Sequence, residues 1–168
     1  MSAAPTLRSI LFCLFSLSLI FSANVQAKPE NGKKFKDWTV VCEKLPNSGK
    51  DVCNIFQNVQ NEKKKAVLQV AIGYLPGMNK PQMLLTMPLG VLLEPGLEFK
   101  GGTAKAMRLP FKVCVANGCV AMAMLDDATL KGMKAGSKGS VKFAVAKDKV
   151  IAIPISLSGF TSAFNSLK

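Results

Sequence analysis

The sequence predicts an all-β domain: a β-sandwich-like arrangement of many short antiparallel strands, with one short helix and a C-terminal helix. Three observations carry this expectation. Apolar and polar residues alternate with a period of two in several segments, most clearly over residues 66–75 and 151–157. Clusters of Gly, Pro, Asn and Ser interrupt these segments at short intervals, as turns between strands do. Helical spacing is confined to two short stretches near the C-terminus.

Taken in order, residues 28–34 are polar and basic and read as a flexible start. Structure is expected from Phe35 onward, as one domain over residues 35–168. Residues 38–42 have strand composition, and residues 45–50 form a turn cluster. Residues 52–59 return as a strand with Cys53, Ile55 and Val59 on one face. Residues 61–65 make a charged turn. Beyond it Leu68, Val70, Ile72 and Tyr74 share a face, until Pro76-Gly77 breaks the strand. Residues 82–87 are the next strand, which Pro88-Leu89-Gly90 bends into a further extended piece at Val91-Leu92-Leu93. A short strand at 97–99 follows the Pro95-Gly96 turn.

Residues 112–114 and 119–124 flank Asn117-Gly118, a strong hairpin signal. A two-residue Asn-Gly turn would set Cys119 opposite Ala116, whereas a disulfide to Cys114 favours a four-residue loop. Asp126-Asp127 offers helix caps, Leu130 and Met133 an apolar stripe, and Gly136 a stop. Val141, Phe143 and Val145 alternate, as do Ile151, Ile153, Ile155 and Leu157. Ser158 is then placed to cap a last helix, with Phe160, Ala163, Phe164 and Leu167 at i, i+3, i+4 and i+7.

The first 27 residues read differently. An apolar stretch from Ile10 to Phe21 follows Arg8 and ends near Val25-Gln26-Ala27, with Val at −3 and Ala at −1 of a cleavage point. This is the pattern of a secretory signal peptide, and it is too short to span a bilayer. Cys13 would leave with it. No second stretch of the mature chain is long and apolar enough to span a membrane as a helix. Four cysteines remain, in an oxidising compartment, so they read as disulfides. Four cysteines allow three pairings. Cys42–Cys53 with Cys114–Cys119 is the expected one, because adjacent strands bring each close pair together.

The full sequence carries 22 basic and 10 acidic residues, a net charge of +12, which falls to +11 once Arg8 is removed. Arg108 is then the only arginine, so the positive field is one of lysines. Nucleic-acid readers rely on the bidentate arginine fork, so nucleic acid is not an expected partner. Anionic envelope or host-surface molecules are, and Lys63, Lys64 and Lys65 on a hairpin tip are the first candidates to bind them. The sequence contains no histidine, which removes the usual general base and the commonest zinc ligand. No metal or cofactor is expected. Glu94 and Glu98 read as solvated acids beside a turn, and the methionines at 78, 83, 87, 122 and 124 as packing residues rather than a copper site. Trp38 lies four residues before Cys42 on the same strand face, and is expected to be a core anchor packed against the first disulfide.

An ordered set of motifs now stands out. It comprises Phe35-x-Asp37-Trp38-x-x-x-Cys42, then Cys53 with Gln57 four residues on, and Pro88-Leu89-Gly90-Val91 with Gly96 after it. Cys114, Gly118-Cys119 with Ala121, and Pro154-Ile155-Ser156-Leu157-x-Gly159-Phe160 complete it. The combination resembles the invasion-associated locus B family of secreted bacterial proteins, over residues 35–167. The resemblance implies an envelope protein, periplasmic, outer-membrane associated or secreted, and in some members a part in entering host cells. It implies no catalytic residues. The expectation is therefore a non-enzymatic binding protein linked to invasion or virulence. The rival expectations are an envelope-maintenance factor with no host role, and a His-free enzyme acting on envelope polymers.

Overall fold

The computed structural model describes residues 29–46 and 49–167. The expected signal segment and Cys13 lie outside them. The chain forms two antiparallel sheets packed face to face, with one short helix between strands and a second after the last strand.

The first sheet is built around a meander. Strands β1 (Lys34–Phe35), β2 (Trp38–Lys44), β3 (Asp51–Gln60), β4 (Ala66–Gly73) and β5 (Gln82–Met87) pair in sequence order. The chain then crosses to the second sheet for β6 (Leu97–Gly101) and β7 (Met107–Leu109). It returns for β8 (Phe111–Val115) and β9 (Gly118–Met124), which dock beside β5 in the order β1-β2-β3-β4-β5-β9-β8. Helix α1 (Asp127–Ala135) leads back to β10 (Lys138–Ala146) and β11 (Lys149–Ser156), which complete the second sheet in the order β11-β10-β6-β7. Helix α2 (Phe160–Asn165) ends the described chain.

The expected period-two faces are the core. Leu68, Val70 and Ile72 of β4, Met83, Leu85 and Met87 of β5, and Ile153 and Ile155 of β11 are all buried in one cluster. Phe99 of β6 and Val141 of β10, in the same sheet as β11, belong to that cluster too, so the core lies between the two sheets. Each buried aliphatic side chain of this kind contributes about 1.5–3 kcal/mol.

The two disulfides are Cys42–Cys53 and Cys114–Cys119, each between directly paired residues of one hairpin. On loop entropy they contribute about 3 and about 2 kcal/mol. The second hairpin is tighter than expected. Val115 still pairs with Gly118, so the turn is Ala116-Asn117 and neither the Asn-Gly turn nor the four-residue loop forms.

Three further expectations are corrected. Residues 32–34, read as part of a flexible start, lie against β2: Gly32 N–H donates to Val40 O, and Lys34 pairs with Thr39. Val91-Leu92-Leu93 is loop, because it spans the two sheets and has one backbone bond to the second, from Leu92 N–H to Ala144 O. Ser158 does not cap α2. The cap position is Gly159, whose left-handed backbone (φ 84°) has no side-chain cap bond. Gly159 lies so close to the Phe35 carbonyl that no side chain fits there. β1 and β7 were not foreseen, since strands of two and three residues show no periodicity.

Candidate functional site

The β3–β4 hairpin presents its tip to solvent. Asn61 Oδ1 accepts from the N–H groups of Lys63 and Lys65, each at 3.0 Å, and Asn61 N–H donates to Lys65 O. The asparagine side chain thereby imitates a turn of backbone. Lys64 takes a left-handed conformation, φ 57°. Lys63, Lys64 and Lys65 are all exposed, so the three candidate binding residues do stand together on one tip.

Trp38 is fully buried in the core, as expected, but its ring partner is Phe160, with centroids 5.4 Å apart. Four strand residues span about 13 Å, which places Cys42 well along the strand from the ring. Phe160 in turn stacks on Phe164 at 5.7 Å, and Phe164 faces Tyr74 at 5.9 Å. The indole Nε1 donates to Ser156 O at 3.1 Å.

Ser156 is the centre of a polar seam between the sheets. Gln57, only 6% exposed, donates from Nε2 to Ser156 O (2.9 Å) and accepts at Oε1 from Ser156 N–H (3.0 Å). β11 is an edge strand, and this one amide fills the place that a neighbouring strand would take. Nε2 also donates to Asp37 O at 3.3 Å. The Ser156 hydroxyl donates to Asp37 Oδ2 at 2.6 Å and accepts from Ser158 N–H at 3.1 Å. Asp37-Trp38, Gln57 and the Ser156-to-Phe160 run, far apart in sequence, thus converge on one place. Gln57 carried a usable sequence signal: a polar residue on the apolar face of Cys53, Ile55 and Val59.

The remaining titratable groups are dispersed. Asp126 caps α1 by accepting from Thr129 N–H at 2.8 Å. The Thr129 side chain and backbone together hold its carboxyl below the ordinary value of 3.8. Glu98 is paired across the second sheet with Lys142 at 3.1 Å. Met83 and Met87 are in the core, while Met78 and Met124 are exposed, so the methionines are not gathered.

Past the seam, toward the ends of β3 and β10, the sheets part. A cleft of about 420 Å³ opens between the β3–β4 hairpin and edge strand β11, roofed by the loop at Leu89. Its walls are formed almost wholly by Val, Ile, Phe, Pro and Ala side chains. Sequence reading missed it, because its walls come from five separate stretches of chain.

The chain is thus a two-sheet antiparallel β-sandwich stapled by two disulfides, with a basic hairpin tip and an apolar cleft. The profile of the Invasion associated locus B (IalB) protein family matches residues 38–168, and the chain belongs to that family. Two invasion protein B homologs of Brucella abortus, from strain 2308 and from biovar 1 strain 9-941, are similar to it. Each is 27% identical over 135 residues, spanning 80% of this chain and 77% of the relative. The crystal structure of invasion associated protein b from Bartonella henselae shares the fold, with a TM-score of 0.71 and 21% identity. That likeness covers 80% of this chain and 92% of the other.

Proposed function

We propose that the protein is an exported, non-catalytic component of the bacterial envelope that binds anionic molecules of the envelope or host surface through its lysine-rich face. Its role in this reading is the invasion-associated one for which its family is named. The observation that carries it is the tip itself: three consecutive lysines, all exposed, on a turn held in shape by Asn61. Export rests on the leader pattern of residues 1–27 and fits two disulfides. The non-catalytic reading is supported by the Ser156 hydroxyl, whose hydrogen and lone pair both serve the seam. Among the described residues no helix is long and apolar enough to cross a membrane.

The test has two parts. N-terminal sequencing of the periplasmic or secreted form should find a start near Lys28; retention of residues 1–27 in the cytoplasm would refute export. The mature protein should bind a sulfated polysaccharide or anionic glycolipid weakly, with affinity that falls as salt screens the charges. Replacing Lys63, Lys64 and Lys65 with Glu takes the net charge from +11 to +5 and should abolish that binding while leaving the fold intact. Equal binding by the variant at low salt would refute the tip as the binding surface.

A further inference from the structure

We propose that the apolar cleft holds the acyl chain of a single-chain anionic phospholipid from the bacterial envelope, with its phosphate held by the lysines of two flanking hairpin tips. The proposal rests on the reading of Lys63–Lys65 as an anion-binding tip and adds the ligand's chemistry.

Backbone irregularity is the first argument. β3 and β4 pair regularly until Val59 meets Leu68; the next pair is Gln60 with Ala66, so Val67 is an extra residue on β4. β10 and β11 behave alike: Ala144 meets Val150, then Ala146 meets Lys149, so Val145 is extra on β10. Both are β-bulges, which re-aim side chains and are over-represented beside functional sites. Both extra residues are valines, and both line the cleft. Two hairpins from different sheets thus turn an apolar side chain into the same space.

Charge placement is the second. Lys63 lies two residues from Asn61 and Lys65 two from Val67, both lining residues. Lys147 lies two residues from Val145 and Lys149 two from Ile151, again both lining. Each tip also carries one acid, Glu62 or Asp148, so the pair of tips is net positive by three charges. These six side chains and Lys64, which completes the first tip, are all exposed. A cleft with apolar walls and a cationic mouth complements a molecule with one hydrocarbon chain and one anionic head. Leu89 (60% exposed) adds apolar surface at the cleft, where a chain would enter.

The volume favours one chain rather than a bilayer surface. At about 420 Å³ the cleft is of small-ligand size.

The experiment titrates the exported, disulfide-bonded protein with lysophosphatidylglycerols of increasing chain length, below their micelle concentrations, by calorimetry. The expected result is one lipid per protein, with affinity rising about fourfold per methylene and then levelling once the cleft is full. Lysophosphatidylcholine of the same chain length should bind about tenfold more weakly, as should the Lys147→Gln/Lys149→Gln variant with lysophosphatidylglycerol. Ala152→Glu puts a charge on the wall at an exposed position and should weaken chain binding by tenfold or more, without loss of binding to sulfated polysaccharide. No binding of any chain length, full binding by Ala152→Glu, or equal affinity for glycerol phosphate without a chain would overturn the proposal. So would binding to anionic vesicles alone, or a self-associated dimer that Ala152→Glu dissociates. Any of these, with polysaccharide binding intact, removes the cleft and leaves the tip. Loss of the tip's role instead shows as unchanged polysaccharide binding in the triple glutamate variant.

Discussion

Gln57 places a primary amide where hydrocarbon would ordinarily sit. Its cost in desolvation is met by three hydrogen bonds to the backbone of Ser156 and Asp37. Replacing Gln57 with Leu keeps the volume but leaves the Ser156 N–H without its partner. The expected loss is about 2–3 kcal/mol, read from urea unfolding. Trp38→Ala should cost about 3–5 kcal/mol, since it removes a fully buried ring together with its contact to Phe160 and its bond to Ser156. A well-folded Trp38→Ala protein of unchanged stability would show that the ring is no core anchor. Asp126 makes a prediction about pH. Its carboxyl titrates lower in the folded protein than in the unfolded chain, because Thr129 bonds the charged form. The stabilisation is therefore complete above the ordinary carboxylate value and is lost as pH falls through the lowered one. Asp126→Asn keeps an acceptor for the cap, so its unfolding midpoint should depend less on pH as pH falls below the ordinary carboxylate value.

At the scale of elements, the hairpins differ in how they are closed. Cys42–Cys53 and Cys114–Cys119 close two of them covalently. The β3–β4 hairpin is closed by the Asn61 side chain and by one lysine in a left-handed conformation. That conformation costs an ordinary residue about 1–2 kcal/mol. Lys64→Gly should relieve it, and after the entropy of the unfolded glycine a gain of about 0.5–1 kcal/mol should remain in thermal unfolding. A destabilised Lys64→Gly protein would contradict the turn geometry. Strands with strict alternation were plain in the sequence, because one buried face imposes a period of two. β1, β7 and the loop at 91–93 were not, because two or three residues cannot display a period. The Ser158 cap was misplaced because a serine before an apolar stripe is the usual cap, and the contact of Gly159 with Phe35 that displaces it joins opposite ends of the chain.

Across the whole molecule the sequence carries a net charge of +12, which leaves most lysines without an acid to match them; Lys33–Glu30 and Lys142–Glu98 are two ion pairs among the described residues. Like charges on a folded surface repel at longer range than those pairs attract. Raising salt from about 10 mM to about 150 mM shortens the screening length from roughly 30 Å to 8 Å. The melting temperature should therefore rise over that range, and a fall would mean that ion pairs outweigh repulsion. The same screening weakens binding to anionic partners, so stability and affinity should move in opposite directions with salt.

The sequence by itself determined the all-β class, the main strands, both disulfide pairs, the exposed lysine tip and the family. Each of these is a local property, readable from alternation, spacing or a short motif. What the paired sheets do together only the tertiary structure decided. The seam needs Gln57 opposite Ser156, 99 residues away, and Trp38 opposite the same serine from 118 residues away. The cleft needs two bulges in different sheets to meet. No periodicity encodes such meetings, because they depend on which strand becomes an edge and on how two faces are laid against one another.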